Sequence, residues 1–67
     1  MDLCLRFGAN VRRLRKEAGY SQEAFADRAK LARSYMSEVE VGRRNPTLMI
    51  VERIADALEV SPSSLLE

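Results

Sequence analysis

The 67 residues predict an all-α fold of five short helices in one domain, residues 1–67. Three observations carry that prediction. Apolar residues recur at steps of three and four between breakers, the spacing of one helix face. Period-two alternation, the mark of a half-buried strand, is absent. The strong breakers are few: Gly19, Gly42, Asn45-Pro46 and Ser61-Pro62, with Gly8 standing alone inside a helical pattern.

Leu3, Phe7, Val11, Leu14 and Ala18 draw one apolar stripe, which sets a first helix over about residues 2–18. Gly19 suits the left-handed residue that ends it. Gly8 costs about 1 kcal/mol against alanine in such a helix, so it marks close approach of a neighbour. Ser21 is a good N-cap and Glu23 suits the positive end of the dipole, so a second helix runs over about 22–29. Phe25, Ala26 and Ala29 face inward. Lys30 to Ala32 lead into a third helix that buries Met36 and Val39 and stops near Gly42. Its N-cap position holds Ala32, which offers no capping oxygen. Thr47 caps a fourth helix with Leu48, Val51, Ile54, Ala55 and Leu58 on its stripe. Ser61 and Pro62 open a short fifth.

Composition narrows the chemistry. A chain this short buries only about 60% of its unfolded surface, so its stability is a few kcal/mol. No run of about 18 apolar residues exists, so no membrane span is expected. Met1 to Arg6 lack the basic flank and apolar core of a signal peptide. Cys4 is the lone cysteine and histidine is absent. An internal disulfide, a zinc site and Ser-His-Asp catalysis are therefore not expected, nor is any cofactor or small-molecule ligand. A cytoplasmic location follows as the expectation. The net charge of +1 says little, but its placement says more: +3 over residues 1–20, +1 over 21–44 and −3 over 45–67. Such a chain can turn a basic face to a polyanion, or can simply carry a salt-bridged helical surface.

Two short helices joined by three residues, the second ending near Gly42, read as a helix-turn-helix. The segment Gly19-Tyr20-Ser21-Gln22-Glu23-Ala24-Phe25-Ala26 and the segment from Arg33 to Leu48, with its Arg44-Asn45-Pro46-Thr47-Leu48 stretch, closely resemble the Cro/CI-type (XRE-like) helix-turn-helix family. The resemblance covers roughly Phe7 to Leu66. It implies a compact five-helix, lambda-repressor-like DNA-binding domain whose third helix lies in the major groove of double-stranded DNA.

The resemblance assigns base reading to the outward residues of the third helix: Arg33, Ser34, Ser37 and Glu38. Arg33 has the chemistry for a bidentate contact to guanine, worth about 1–3 kcal/mol of discrimination. Glu38 can accept from cytosine N4, repel phosphate in wrong registers, or pair within its helix with Arg33 or Ser34. Ser21 and Gln22, at the start of the second helix, are implied phosphate contacts. Tyr35 offers a hydroxyl at the groove edge or packs as an aromatic. Arg43, Arg44 and Asn45 form a basic turn that straddles the sugar-phosphate chain or complements the end of the third helix. Arg15 and Glu40 occupy the positions of a partly buried ion pair, structural rather than DNA-contacting.

Met49 and Ile50 are apolar where the family usually has polar residues. With Pro62 and Leu66 they form an apolar patch, read as the seam of a homodimer, the alternative being scattered surface hydrophobes. The function implied is a sequence-specific transcriptional regulator of bacterial or phage origin, dimeric on a pseudo-palindromic operator. The run Arg33-Ser34-Tyr35-Met36-Ser37 leans towards the restriction–modification controller proteins within that family. With no effector or catalytic domain expected, control comes through concentration, dimerisation or a partner. The alternative is a protein-interaction module, or an antitoxin-type partner, that keeps the fold without gripping DNA; the near-neutral charge favours it. No nucleophile–base pair or metal cluster is visible, so an enzyme is not expected.

Overall fold

The computed structural model describes residues 2–67. Four α-helices follow one another: α1 (Leu3–Glu17), α2 (Gln22–Ala29), α3 (Arg33–Glu40) and α4 (Leu48–Leu58). The fifth predicted helix is instead a single 3-10 turn at Pro62–Leu65. Its bonds run Ser64 N–H to Ser61 O and Leu66 N–H to Ser63 O, the tighter i to i+3 pattern. The Ser61 hydroxyl meets those of Ser63 and Ser64 rather than a backbone N–H, so nothing caps a full α-turn. Among the described residues there is no strand, and no helix is long and apolar enough to cross a membrane.

The helix starts obey local chemistry. Asp2, Ser21 and Thr47 each accept a backbone N–H from the first turn of the helix they precede, and Ala32 leaves α3 without that bond. The ends divide into two kinds. Gly19 (φ +85°) follows α1 and Gly42 (φ +81°) follows α3, as their sequence positions predict. Helices α2 and α4 end instead on Lys30 (φ 60°) and Glu59 (φ 59°), left-handed without being glycine. That conformation costs roughly 1–2 kcal/mol per residue. A reciprocal clasp offsets it. Arg53 of α4 donates to the Lys30 carbonyl oxygen, while Arg28 of α2 donates Nε to the Ala57 carbonyl oxygen at 2.8 Å. Arg28 also pairs with Glu59 at 3.1 Å and stacks over Tyr20.

Phe7, Val11, Phe25, Met36, Val39, Ile54 and Leu65 form the core where the helices meet. Gly8 lets α1 press on α3: a Cβ there would stand 2.2 Å from the Val39 carbonyl oxygen. The 3-10 turn is tied back to α1 by Asn10, whose Nδ2 donates to the Leu65 and Glu67 carbonyl oxygens at 2.9 and 3.1 Å.

Three stripe assignments shift. Leu3 is more than half exposed, and Ala18 is the exposed C-cap of α1 rather than a core residue. On α4 the buried arc passes through Val51, Ile54, Ala55 and Ala57, with Ile50 packed against it. Leu48 falls at the margin of that arc, in the first turn, and is 86% exposed.

Candidate nucleic-acid interface

Helices α2 and α3 form the tight pair that the spacing predicts. Lys30 turns the chain in its left-handed conformation, the Leu31 N–H bonds to the Ala26 carbonyl oxygen, and Phe25, Ala29, Met36 and Val39 fill the angle between the helices. This packing fixes which face of α3 looks outward. At about 100° per residue, Arg33, Ser34 and Ser37 share one exposed arc with Val41 just beyond the helix end. Glu38 lies at the edge of that arc and is half-buried.

Glu38 does not pair with Arg33 or Ser34. Its Oε1 accepts from Arg44 Nε at 2.7 Å. The reason is the bend at Gly42, which folds Arg43–Asn45 back over the end of α3; the Arg43 N–H bonds to the Glu38 carbonyl oxygen at 2.9 Å. The Arg44 guanidinium also stands 5.4 Å from the centroid of the Tyr35 ring. Tyr35 is half-buried and packs against the core, as the packed-aromatic alternative has it. Arg43 and Asn45 are exposed in the turn.

Beneath this face lies the ion pair. Arg15 Nε and NH2 meet Glu40 Oε2 and Oε1 at 2.7 and 3.0 Å, a bidentate geometry with both residues buried. Arg15 NH1 reaches the Tyr20 carbonyl oxygen at 2.9 Å. Gln22 joins the same group, its Nε2 donating to Glu40 Oε1 at 3.1 Å. One amide hydrogen of Gln22 is therefore committed inward, which fixes the side chain at the start of α2. Ser21 spends its hydroxyl oxygen as an acceptor for the Ala24 N–H at 3.1 Å. What Ser21 and Gln22 can offer an anion is the uncovered backbone N–H end of α2 and the second amide hydrogen.

Leu48, Met49, Val51, Glu52, Pro62 and Leu66 line a shallow groove of about 320 Å³ between α4 and the 3-10 turn. Met49, Pro62 and Leu66 are there as expected. Ile50 is not among the lining residues; its side chain is half-buried against the core, because its position on α4 lies at the inner arc. Leu48 takes its place.

Residues 6–67 match the family described as helix-turn-helix domain. The chain belongs to the Cro/CI-type helix-turn-helix family. This helix-turn-helix protein is 41% identical over 66 residues to an uncharacterised HTH-type transcriptional regulator, y4dJ, of Sinorhizobium fredii, covering 98% of this chain and 86% of that one. Among solved structures it is similar to the restriction-modification controller protein C.AhdI of Aeromonas hydrophila, with a TM-score of 0.89 and 40% identity over 92% of this chain and 94% of that one. It is similar also to SinR, a master regulator for biofilm formation solved in complex with DNA, with a TM-score of 0.87 and 35% identity over 91% and 98% of the two chains.

Two features of this helix-turn-helix face escape sequence reasoning. The Arg44–Glu38 pair spans six residues and a glycine bend, beyond any helical spacing rule. Val41, to which the sequence pattern gives no role, lies at the C-cap of α3 and is half exposed beside the outward arc.

Proposed function

We propose that this protein is a sequence-specific DNA-binding transcriptional regulator, dimeric on a pseudo-palindromic operator, with α3 in the major groove and the cytoplasm as its place of action. The observation that carries the reading is the exposed polar arc of α3, a helix to which the start of α2 is tied through Gln22 and Glu40 and the Arg43–Asn45 turn through Arg44 and Glu38. Phosphate contacts at both segments would seat a helix whose Arg33, Ser34, Ser37 and Glu38 face base edges. The likeness to SinR, solved with DNA, and to a restriction-modification controller protein supports this. The family is one of DNA-binding regulators, which is no class of enzyme.

Reading and positioning separate experimentally. Arg33→Ala is expected to relax selectivity at one base pair of each half-site, at a cost of about 1–3 kcal/mol on the best operator. Removing Arg43 is expected to shallow the salt slope on operator DNA by roughly 0.9 while leaving the preference profile alone, and removing the neutral Gln22 to weaken every site with the slope unchanged. Selection from a random DNA pool at two salt concentrations measures both. If Arg33→Ala weakens every site equally with an unchanged profile, Arg33 contacts the backbone, and reading falls to Ser34, Ser37 and Glu38. A protein that binds no duplex at all returns the function to the interaction module.

The dimer rests on the groove where Leu48, Met49, Pro62 and Leu66 expose mostly apolar surface beside Glu52, across α4 and the 3-10 turn. Two reading helices on one DNA face would then engage half-sites about 34 Å apart. Met49→Glu is the chosen probe because Met49 is 74% exposed and its charge would not enter the core, as one at Ile50 would. Sedimentation is expected to show a concentration-dependent dimer for the wild type and a monomer for the variant. Equal association of the two removes the seam from this groove.

A further inference from the structure

The edge of the reading face holds one cation between two partners. Arg44 Nε donates to Glu38 Oε1 at 2.7 Å on one side, and the guanidinium lies 5.4 Å from the Tyr35 ring centroid on the other. The Arg44 and Glu38 side chains are 52% and 42% exposed, so neither is locked in the core and either can change partner. We infer that Glu38 is a specificity-determining latch: it holds Arg44 away from the DNA backbone and releases it to a phosphate only where a base edge offers Glu38 a replacement donor. The inference rests on the DNA-binding reading proposed for this face.

The physics is a competition between two anions for one guanidinium. A carboxylate and a phosphate are both strong partners for arginine. On DNA of arbitrary sequence, handing Arg44 to a phosphate would leave Glu38 as an unpaired anion facing a polyanion, so the exchange is unfavourable. The Tyr35 ring stabilises the guanidinium in the held position. Where a cytosine N4 amino group stands opposite Glu38, that donor takes the place of Arg44, and the carboxylate keeps a hydrogen-bond partner after the exchange. One base pair then controls both a base contact and a phosphate contact. Discrimination at that position exceeds what a single hydrogen bond supplies, and sequence-independent binding is held down.

The test compares four proteins, wild type, Glu38→Gln, Arg44→Ala and the double variant, on a random-sequence duplex and on the best selected operator across a salt series. Glutamine keeps the size of the side chain and removes its charge, and the exposure of Glu38 leaves the core untouched. Glu38→Gln is expected to bind the random duplex about two- to fivefold more tightly, the range over which an exposed ion pair restrains its members. Its salt slope there is expected to steepen by roughly 0.9, one added phosphate contact. On the operator no gain is expected, because Arg44 is already released. In the Arg44→Ala background the glutamine is expected to leave the salt slope unchanged, because relief of repulsion by Glu38 adds no phosphate contact. A salt slope that steepens as much without Arg44 overturns the latch, because the added contact is then not made by Arg44. Equal gains on both DNAs overturn it as well. If the wild type binds neither duplex, the DNA-binding reading itself has failed, and the latch falls with it.

Discussion

Glu40→Ala is expected to unfold much of the population at room temperature. The substitution leaves the buried Arg15 guanidinium with only the Tyr20 carbonyl oxygen as acceptor, and strands the inward amide hydrogen of Gln22. Breaking one partner of a buried pair costs about 3–5 kcal/mol, comparable with the whole stability of a domain this small. Arg15→Ala is expected to cost a similar amount, and the double variant much less than the sum, because no charge is then left uncompensated. Urea melts of the four proteins give the coupling energy directly. A value near zero would mean that the two side chains do not meet in solution. Thermal melts should show the single variants lowered by on the order of 15 °C or more.

The second large effect is expected at Gly8. Alanine there is favoured by helix propensity by about 1 kcal/mol, so an exposed position would gain. Here the added Cβ would stand 2.2 Å from the Val39 carbonyl oxygen and 2.9 Å from that of Glu40. Those are backbone atoms, and only separation of α1 from α3 can relieve the overlap. Overpacking of this kind costs about 1–3 kcal/mol or more, and the sign of the measured change decides between propensity and packing. A stabilised Gly8→Ala variant would show that the two helices stand further apart. The same shift of α3 would tilt the proposed reading face, so DNA affinity is expected to fall even in the fraction that stays folded.

Much of this molecule was legible in its residues, for local reasons. Ser21, Thr47, Gly19 and Gly42 mark helix ends through their own chemistry, and each does so in the structure. What escaped depends on partners far along the chain. Nothing near Lys30 or Glu59 announces a left-handed end, because the arginines that satisfy the neighbouring carbonyls lie 23 and 29 residues away. Leu48 fits the apolar stripe of α4 by spacing alone, but spacing does not say where the neighbouring elements stop, and the first turn overhangs them. Glu38 invited pairing with residues on its own helix, and the bend at Gly42 supplied Arg44 instead. The Arg15–Glu40 pair could be placed only through resemblance to a family, since a separation of 25 residues carries no periodic signal.

The clasp between Arg28 and Arg53 has a consequence for DNA geometry. Each arginine closes the end of the other's helix, so α2 and α4 are joined at two points beyond their packing, which resists a hinge between the helix-turn-helix and α4. In the proposed dimer, α4 carries the seam and α2 carries the reading helix, so each protomer behaves as a rigid caliper arm. The gap between the arms is then set at the seam, and a protomer has little internal freedom with which to widen it. Inserting one base pair between half-sites rotates one against the other by roughly 34° about the duplex axis. With stiff arms that rotation must be taken up by twisting the DNA or by opening the seam, and so operator spacing becomes as strict a requirement as operator sequence.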